Sequence, residues 1–470
     1  MSGAEASLAP ARVETSAARP GERFLTWPRG IGVALFLLFA FTFDEGQVHD
    51  DGLVYFSFMR RFFGADTPTA ALQFGSDFWN TPFYLVSQLV AARGELDRYH
   101  AGEISVALAS NAAVVVILYL GWRILRELDL PRGPAVLLLA LFGTPLYYYG
   151  ALWVSYKHAA DTLYATALFW FVLRSTQPDA RRRHFVAAGT CLALLIATRY
   201  ANAALWLGVL LVLAAYRRRR AAGWMLGTAL LASAVAFALP AVRHIPYASS
   251  SSTFGMEAPA GGDPPWATRA ATRLALGPET ILRPVSANAQ LDPMAPVDML
   301  FTDKRGLFVW TPLTALATVG FVRLARRDRR NRPFLLALGV SALALLLVHV
   351  YWGKAWTGGG SFSQRLLTAL FPFFLVGTAE LLRRSRRAAA AALAPCALFS
   401  TWLGLVLFNG YYGENADQSM TQVAGHYGSF LGPAISRYHE PPPADSIQNF
   451  GRQIGDRIED RWRLYWRLLA

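Results

Sequence analysis

Long apolar runs cut by short clusters of arginine decide the fold class of this chain. The runs fall near 24–43, 104–122, 134–150, 159–174, 185–198, 201–216, 223–241, 307–324, 333–351, 366–382 and 388–409. Several approach the ~20 residues that a helix needs to cross a bilayer core. A soluble protein of 470 residues buries a large core, but it does not alternate such runs with basic clusters. The chain reads as an all-α membrane protein with about eleven transmembrane helices.

The arginines test that reading. A net charge of +14 on a soluble protein would point to nucleic acid. Here the basic residues sit between spans, at Arg181-Arg182-Arg183, 217–220, 323–332 and 383–387. With the N-terminus inside, each of these clusters falls on the cytoplasmic side, as the positive-inside rule requires. Nucleic acid is therefore excluded as a partner, and the plasma (inner) membrane is the expected location. Residues 185–216 are the most informative case. One continuous helix would be about 48 Å long at 1.5 Å per residue and would put an arginine cluster on each side. A break at ATRYANA keeps both clusters inside and leaves Arg199 near the outer half of the membrane.

Three parts follow. Residues 1–23, rich in Ala, Arg, Pro and Glu, read as a disordered cytoplasmic tail. Residues 24–409 form the transmembrane domain, with outer loops 44–103 and 242–306. Residues 410–470 form a polar outer-face segment ending in the amphipathic GDRIEDRWRLYWRLL. The first apolar run has no convincing cleavage site, so it is expected to remain as a span. Cys191 and Cys396 lie inside apolar runs, without disulfide or metal spacing.

The inner loops are short and basic, whereas the outer segments hold acids, cations, aromatics and glycines. The first outer loop contains FDEGQVHDDGLVYFSFMRR, with Asp44, Asp50 and Asp51. A carboxylate at a membrane surface acts as a general base or binds a cation. Asp51 before a helical segment is equally a good N-cap, and the two roles are compatible. In the same loop, Thr81-Pro82 is expected to start an amphipathic helix that lies on the membrane. SYKHAAD supplies Lys157, His158 and Asp161 at the start of a span, where ionisable groups are costly unless paired or wet. The alternative is that Lys157 snorkels and Asp161 caps. Arg199 in TRYAN suits an anion such as phosphate, or an internal pair with a carboxylate such as Asp161. DKRGLFVWTPL adds Arg305. YWGKAWTGGGSFSQRLL adds Lys354 and Arg365 around three consecutive glycines, which permit close backbone approach to a ligand or simply a flexible connection.

These residues resemble the GT-C superfamily of integral-membrane glycosyltransferases, in particular the protein O-mannosyltransferases and the aminoarabinose-transferase-like bacterial members. The resemblance covers the chain to about residue 409. It rests on Asp51-Gly52 with Tyr55 four residues after Asp51, on SYKHAAD, on the Thr-Arg step at Arg199, on Arg305-Gly306-Leu307-Phe308 with Trp310 and Pro312, and on the Trp-Gly-rich loop ending at Arg365. Where the family pattern often reads Gly-Pro-Arg, this chain has Ser363-Gln364-Arg365.

The resemblance implies a polyprenyl-phosphate sugar as donor and inverting transfer at the outer face to a glycan, lipid or protein acceptor. It implies Asp51 as base, with Asp50 and Asp44 as alternatives. Arg199, Arg305, Lys354 and Arg365 would hold the donor phosphate. Tyr55, Lys157, His158 and Asp161 would line the substrate site. A divalent metal is needed by some members and not by others, and no further cofactor is implied. The rival readings are a transporter or flippase of a lipid-linked sugar, and a membrane scaffold whose outer tail binds a partner.

Overall fold

The computed structural model describes residues 27–42, 51–65, 74–93, 98–154, 157–177, 179–215, 219–242, 292–350, 362–384, 386–410 and 419–421. The expected N-terminal tail, Asp44, Asp50, most of the loop 242–306, Lys354 with its glycine run, and nearly all of 410–470 lie outside them.

The described residues are helical, and none of them forms a strand. The helices are α1 (Trp27–Thr42), α2 (Asp51–Phe62), α3 (Gly75–Ala91), α4 (Arg98–Glu127), α5 (Pro134–Phe142), α6 (His158–Thr176), α7 (Arg182–Thr198), α8 (Leu205–Ala215) and α9 (Arg219–Val242). After the second outer region come α10 (Ala295–Phe301), α11 (Leu307–Trp310), α12 (Pro312–Arg327), α13 (Arg332–Val348), α14 (Phe371–Arg384) and α15 (Arg386–Gly410). Every apolar run read from the sequence holds a helix. Four are long and apolar enough to cross a membrane: 98–127, 222–240, 365–383 and 387–405. Shorter apolar helices occupy 30–40, 200–215 and 332–348.

Burial sorts these helices. The apolar window of α4 is 72% buried and that of 365–383 is 89% buried, so both lie at the centre. The corresponding windows are 18% buried in α9 and 28% in α15, so these two present apolar side chains outward, where lipid solvates them. Apolar side chains gain little by leaving lipid for a helix interface, so interfaces depend on close packing. Gly320 of α12 and Gly377 of α14 meet so closely that a Cβ on either would overlap the other helix's backbone.

The boundaries correct several expectations. α3 begins at Gly75 rather than at Thr81-Pro82, and Pro82 lies inside it. The Thr81 hydroxyl donates to the Asp77 carbonyl (2.6 Å), one turn back in the same helix. The run 134–150 is interrupted: α5 ends before Gly143-Thr144-Pro145, and a π-helical turn follows at Tyr148–Leu152. Proline disfavours helical geometry at the residue before it, which places the break. The run 307–324 is divided at Thr311, just before Pro312. As expected, the chain also breaks at Arg199, whose backbone is extended (φ −155°, ψ 122°) between α7 and a 3-10 turn at Tyr200–Ala204.

α2 starts at Asp51, within a residue of the expected start. α3 is fastened to the bundle at two points. The Trp79 indole donates to the Ala109 carbonyl of α4 (2.7 Å), and the Tyr164 hydroxyl of α6 donates to the Gly75 carbonyl (3.2 Å). Gly75 also lies directly on Thr198 and Leu194 of α7, where a Cβ would collide with backbone. Residues 75–91 are thereby held against the break at Arg199.

Candidate active site

Three chain breaks meet at one end of the bundle: the start of α6, the extended residue Arg199, and the 3-10 turn at Arg365–Leu370. Asp161, in the first turn of α6, is fully buried. Its Oδ1 accepts from the Asn202 amide (2.5 Å), and its Oδ2 lies 3.8 Å from Arg199 Nη1. The same Nη1 donates to the Leu366 carbonyl (2.9 Å) and the Arg365 carbonyl (3.4 Å). Arg199 is 2% exposed. A buried guanidinium needs both a counter-charge and acceptors, and here it has Asp161 and two main-chain carbonyls. It joins α6 to the turn that carries Arg365. The internal pair raised as an alternative from the sequence is therefore present.

The segment leading to Arg365 is bound on several sides. The Tyr149 hydroxyl, from the π turn, donates to the Phe362 carbonyl (3.0 Å). The Phe362 ring stacks on Tyr148 (4.8 Å between centroids) and meets Trp310 edge-on (5.8 Å). Ser363 is left-handed (φ 48°), and its hydroxyl lies 3.4 Å from that of Thr311. Such a backbone angle is uncommon outside glycine and costs energy that the surroundings must offset. These contacts hold Arg365 at the turn's first position while leaving its side chain partly exposed.

Tyr149 also packs on His158 (4.7 Å between rings). His158 is buried and lies within electrostatic reach of Arg199, Arg365 and Lys157. Lys157 is partly exposed, and its Nζ stands 4.9 Å above the Tyr55 ring of α2. Arg305 is 1% exposed and lies 4.6 Å from the centroid of the Trp310 ring. The Trp310 indole donates to the Asp303 carbonyl (2.8 Å), which also accepts from the Met420 amide (2.7 Å). Part of the C-terminal segment therefore passes beside the Arg305 turn.

The structure thus connects Tyr55, Lys157, His158, Asp161, Arg199 and Arg365 through direct or short-range contacts. Arg305 joins through Trp310 and Phe362. Asp51 opens α2 one helical turn before Tyr55. Among the described residues, no group of three or more His, Cys, Asp or Glu side chains is placed to hold a metal ion.

The fold has relatives among solved structures. ArnT from Cupriavidus metallidurans, bound to undecaprenyl phosphate, matches over 86% of this chain and 70% of its own, with a TM-score of 0.53 and 17% identity. The apo oligosaccharyltransferase from Archaeoglobus fulgidus matches over 91% of this chain and 63% of its own, with a TM-score of 0.48 and 12% identity. This chain has the GT-C fold. No family model and no curated protein matches the sequence.

Within the GT-C fold, sequence reasoning missed three buried polar residues, of which Asn202 and Gln364 adjoin the site. Asn202 stands inside the quoted TRYAN motif, yet its amide is what fixes Asp161. Gln364 is fully buried and neither of its amide atoms has a hydrogen-bond partner. It lies beside Arg365, where a bound polar group could satisfy it. Asn111 of α4 is likewise fully buried with both amide atoms unsatisfied. A polar residue in an apolar run was the available signal for Asn111. Nothing local distinguished Gln364.

Proposed function

We propose that this chain is a glycosyltransferase that moves a sugar from a polyprenyl-phosphate donor to an acceptor at the outer face of the membrane. The observation that carries the reading is the convergence of Arg365, Lys157 and Tyr55 on the buried Asp161–Arg199 pair, at the end of the fold where α2 begins. The fold likeness to a protein solved with undecaprenyl phosphate supports the choice of donor class.

In this reading Arg365 and Lys157, which keep partial exposure, face the donor phosphate. Lys354, which lies outside the described residues, is assigned to the same phosphate from the sequence. Arg199 and Arg305 are deeply buried and act by shaping it. Asp51, one turn before Tyr55, takes the proton of the acceptor hydroxyl or amine. The acceptor attacks the anomeric carbon as the bond from that carbon to the phosphate oxygen breaks. The polyprenyl phosphate leaves with the electron pair, and the configuration at carbon inverts. A positioned base contributes about 10²–10⁴-fold to such a step. A donor aimed at the developing phosphate charge contributes on a similar scale, roughly 10²–10³-fold.

The test uses the purified full-length protein in nanodiscs with undecaprenyl phosphate as the probe. Arg365→Gln is expected to weaken binding about tenfold or more, as loss of a charge-assisted hydrogen bond implies. Asp51→Asn is expected to bind the lipid normally while failing to support transfer in cells. Unchanged lipid binding in Arg365→Gln, Lys157→Gln and Lys354→Gln alike would overturn the assignment of the phosphate site.

A further inference from the structure

A second buried acid lies outside the cluster just described. Asp77 of α3 is 6% exposed, and its Oδ2 is buried with no hydrogen-bond partner. Burial raises its carboxyl well above the usual range, with no cation among the described residues offsetting the shift. Asp77 lines a small pocket of about 30 Å³, room for a group of ammonium size, together with Phe58, Phe62, Phe74, Phe78 and Leu239. Phe58 and Phe74 stack at 5.1 Å between centroids, and Phe62 and Phe78 flank them at 6.2 Å.

An acid among aromatic faces is the chemical complement of an ammonium group. The carboxylate supplies the counter-charge and the ring faces supply cation–π attraction. An anion or a neutral hydroxyl would gain neither. The surroundings indicate how such a cation arrives. Val235 and Val242, flanking Leu239 on α9, are 54% and 71% exposed. A pocket bordered by such apolar surface is reached from the bilayer. The last turn of α2, which contributes Phe58 and Phe62, also carries Arg61, whereas Arg60 lies over the Phe56 and Tyr99 rings on another face. A phosphate joined to the ammonium by a short linker therefore meets positive charge within one helical turn.

We propose that the pocket formed by α2, α3 and the end of α9 binds the ammonium headgroup of a zwitterionic aminophospholipid, with Asp77 as its counter-ion. Binding places the ammonium against the carboxylate and the phosphate near Arg61 of α2. Because α3 packs through Gly75 on the Arg199 break, an occupied pocket would brace the first outer loop against the active site.

The experiment is native mass spectrometry of the full-length protein released from nanodiscs of equal parts phosphatidylethanolamine and phosphatidylglycerol. Wild type is expected to retain phosphatidylethanolamine about tenfold or more over phosphatidylglycerol, the scale of one hydrogen bond to a charged group. Asp77→Asn is expected to lose that preference while keeping its retention of phosphatidylglycerol. A second arm leaves the protein untouched: N-acetylated phosphatidylethanolamine keeps the phosphate but lacks the cation, and wild type is expected to retain it no better than phosphatidylglycerol. Equal preference in wild type and Asp77→Asn, no preference in wild type, or retention of the acetylated lipid like the parent would each overturn the proposal.

Discussion

Two buried acids hold arginines at different places in this molecule. Asp161 has one arginine, Arg199, itself 2% exposed, and shares it with the carbonyls of Arg365 and Leu366. Glu380 of α14 has three: Arg327 at 2.9 Å, Arg383 at 3.0 Å and Arg323 at 3.9 Å, with side chains 40%, 40% and 37% exposed. The chemistry is the same and the accessibility is opposite. Around Glu380 the arginines stay partly exposed and fasten α12 to α14. Around Asp161 both charges leave water, and the pair joins segments that also carry Lys157, His158 and Arg365. A buried ion pair is costly to assemble and offers no general stability advantage over apolar packing. Its presence beside these groups favours a role in placing them.

That contrast can be broken experimentally. The largest effect is expected at the fully buried pair. Asp161→Leu leaves Arg199 without its counter-charge and is expected to cost about 3–5 kcal/mol of stability in detergent unfolding. The double variant Asp161→Leu with Arg199→Met is expected to recover part of that stability but no transfer. Additive losses in this cycle would show that the pair is not coupled. Glu380→Gln should cost less, about 1–2 kcal/mol, because the arginines it releases already reach water. Transfer per folded molecule should stay within about twofold of wild type, since the site is unaltered. Equal loss of transfer in the two cases would erase the distinction between them.

Lys157→Gln removes the contact with Tyr55 and is expected to cost about 0.5–1 kcal/mol, as a partly exposed cation–π contact does. Its effect should fall on donor binding rather than on folding.

Asp77 is the third buried acid and the useful control, because no cation among the described residues compensates its burial. Its carboxyl is raised, so the folded state holds the proton more tightly than the unfolded chain does. Its contribution to stability is therefore complete below the ordinary carboxylate range. It is lost as pH rises through the raised value. Without aminophospholipid, stability should decline as pH rises through that window, and Asp77→Asn should flatten the decline in a pH series of thermal unfolding.

Much of the fold was legible because lipid imposes a simple rule. Apolar runs become helices, and arginine clusters fix their ends. The break at Arg199 could be read for the same reason, since a continuous helix from 185 to 216 would have carried its clusters to opposite sides. Breaks set by local backbone chemistry were harder. Pro82 looked like a helix start yet lies within α3, whose position is fixed by Gly75 on Thr198 and Trp79 on Ala109. Those contacts join residues far apart in sequence. The ionisable residues of the site stood out because charge is rare in apolar runs. Their division of labour did not. Arg199 and Arg365 look alike in sequence, and only burial shows that the first is enclosed while the second keeps partial access. Gln364 and Asp77 were not singled out, because their significance lies in partners they lack.

The central claim is that the outer-side cluster serves glycosyl transfer with an aspartate of the first outer loop as base. Mass spectrometry of envelope glycans and glycolipids tests it most directly, in cells lacking this chain and complemented with wild type, Asp51→Asn, Asp50→Asn or Asp44→Asn at matched membrane levels. The expected result is a sugar modification that disappears on deletion, returns with wild type, and stays absent with Asp51→Asn. Full restoration by all three substituted proteins would contradict the account.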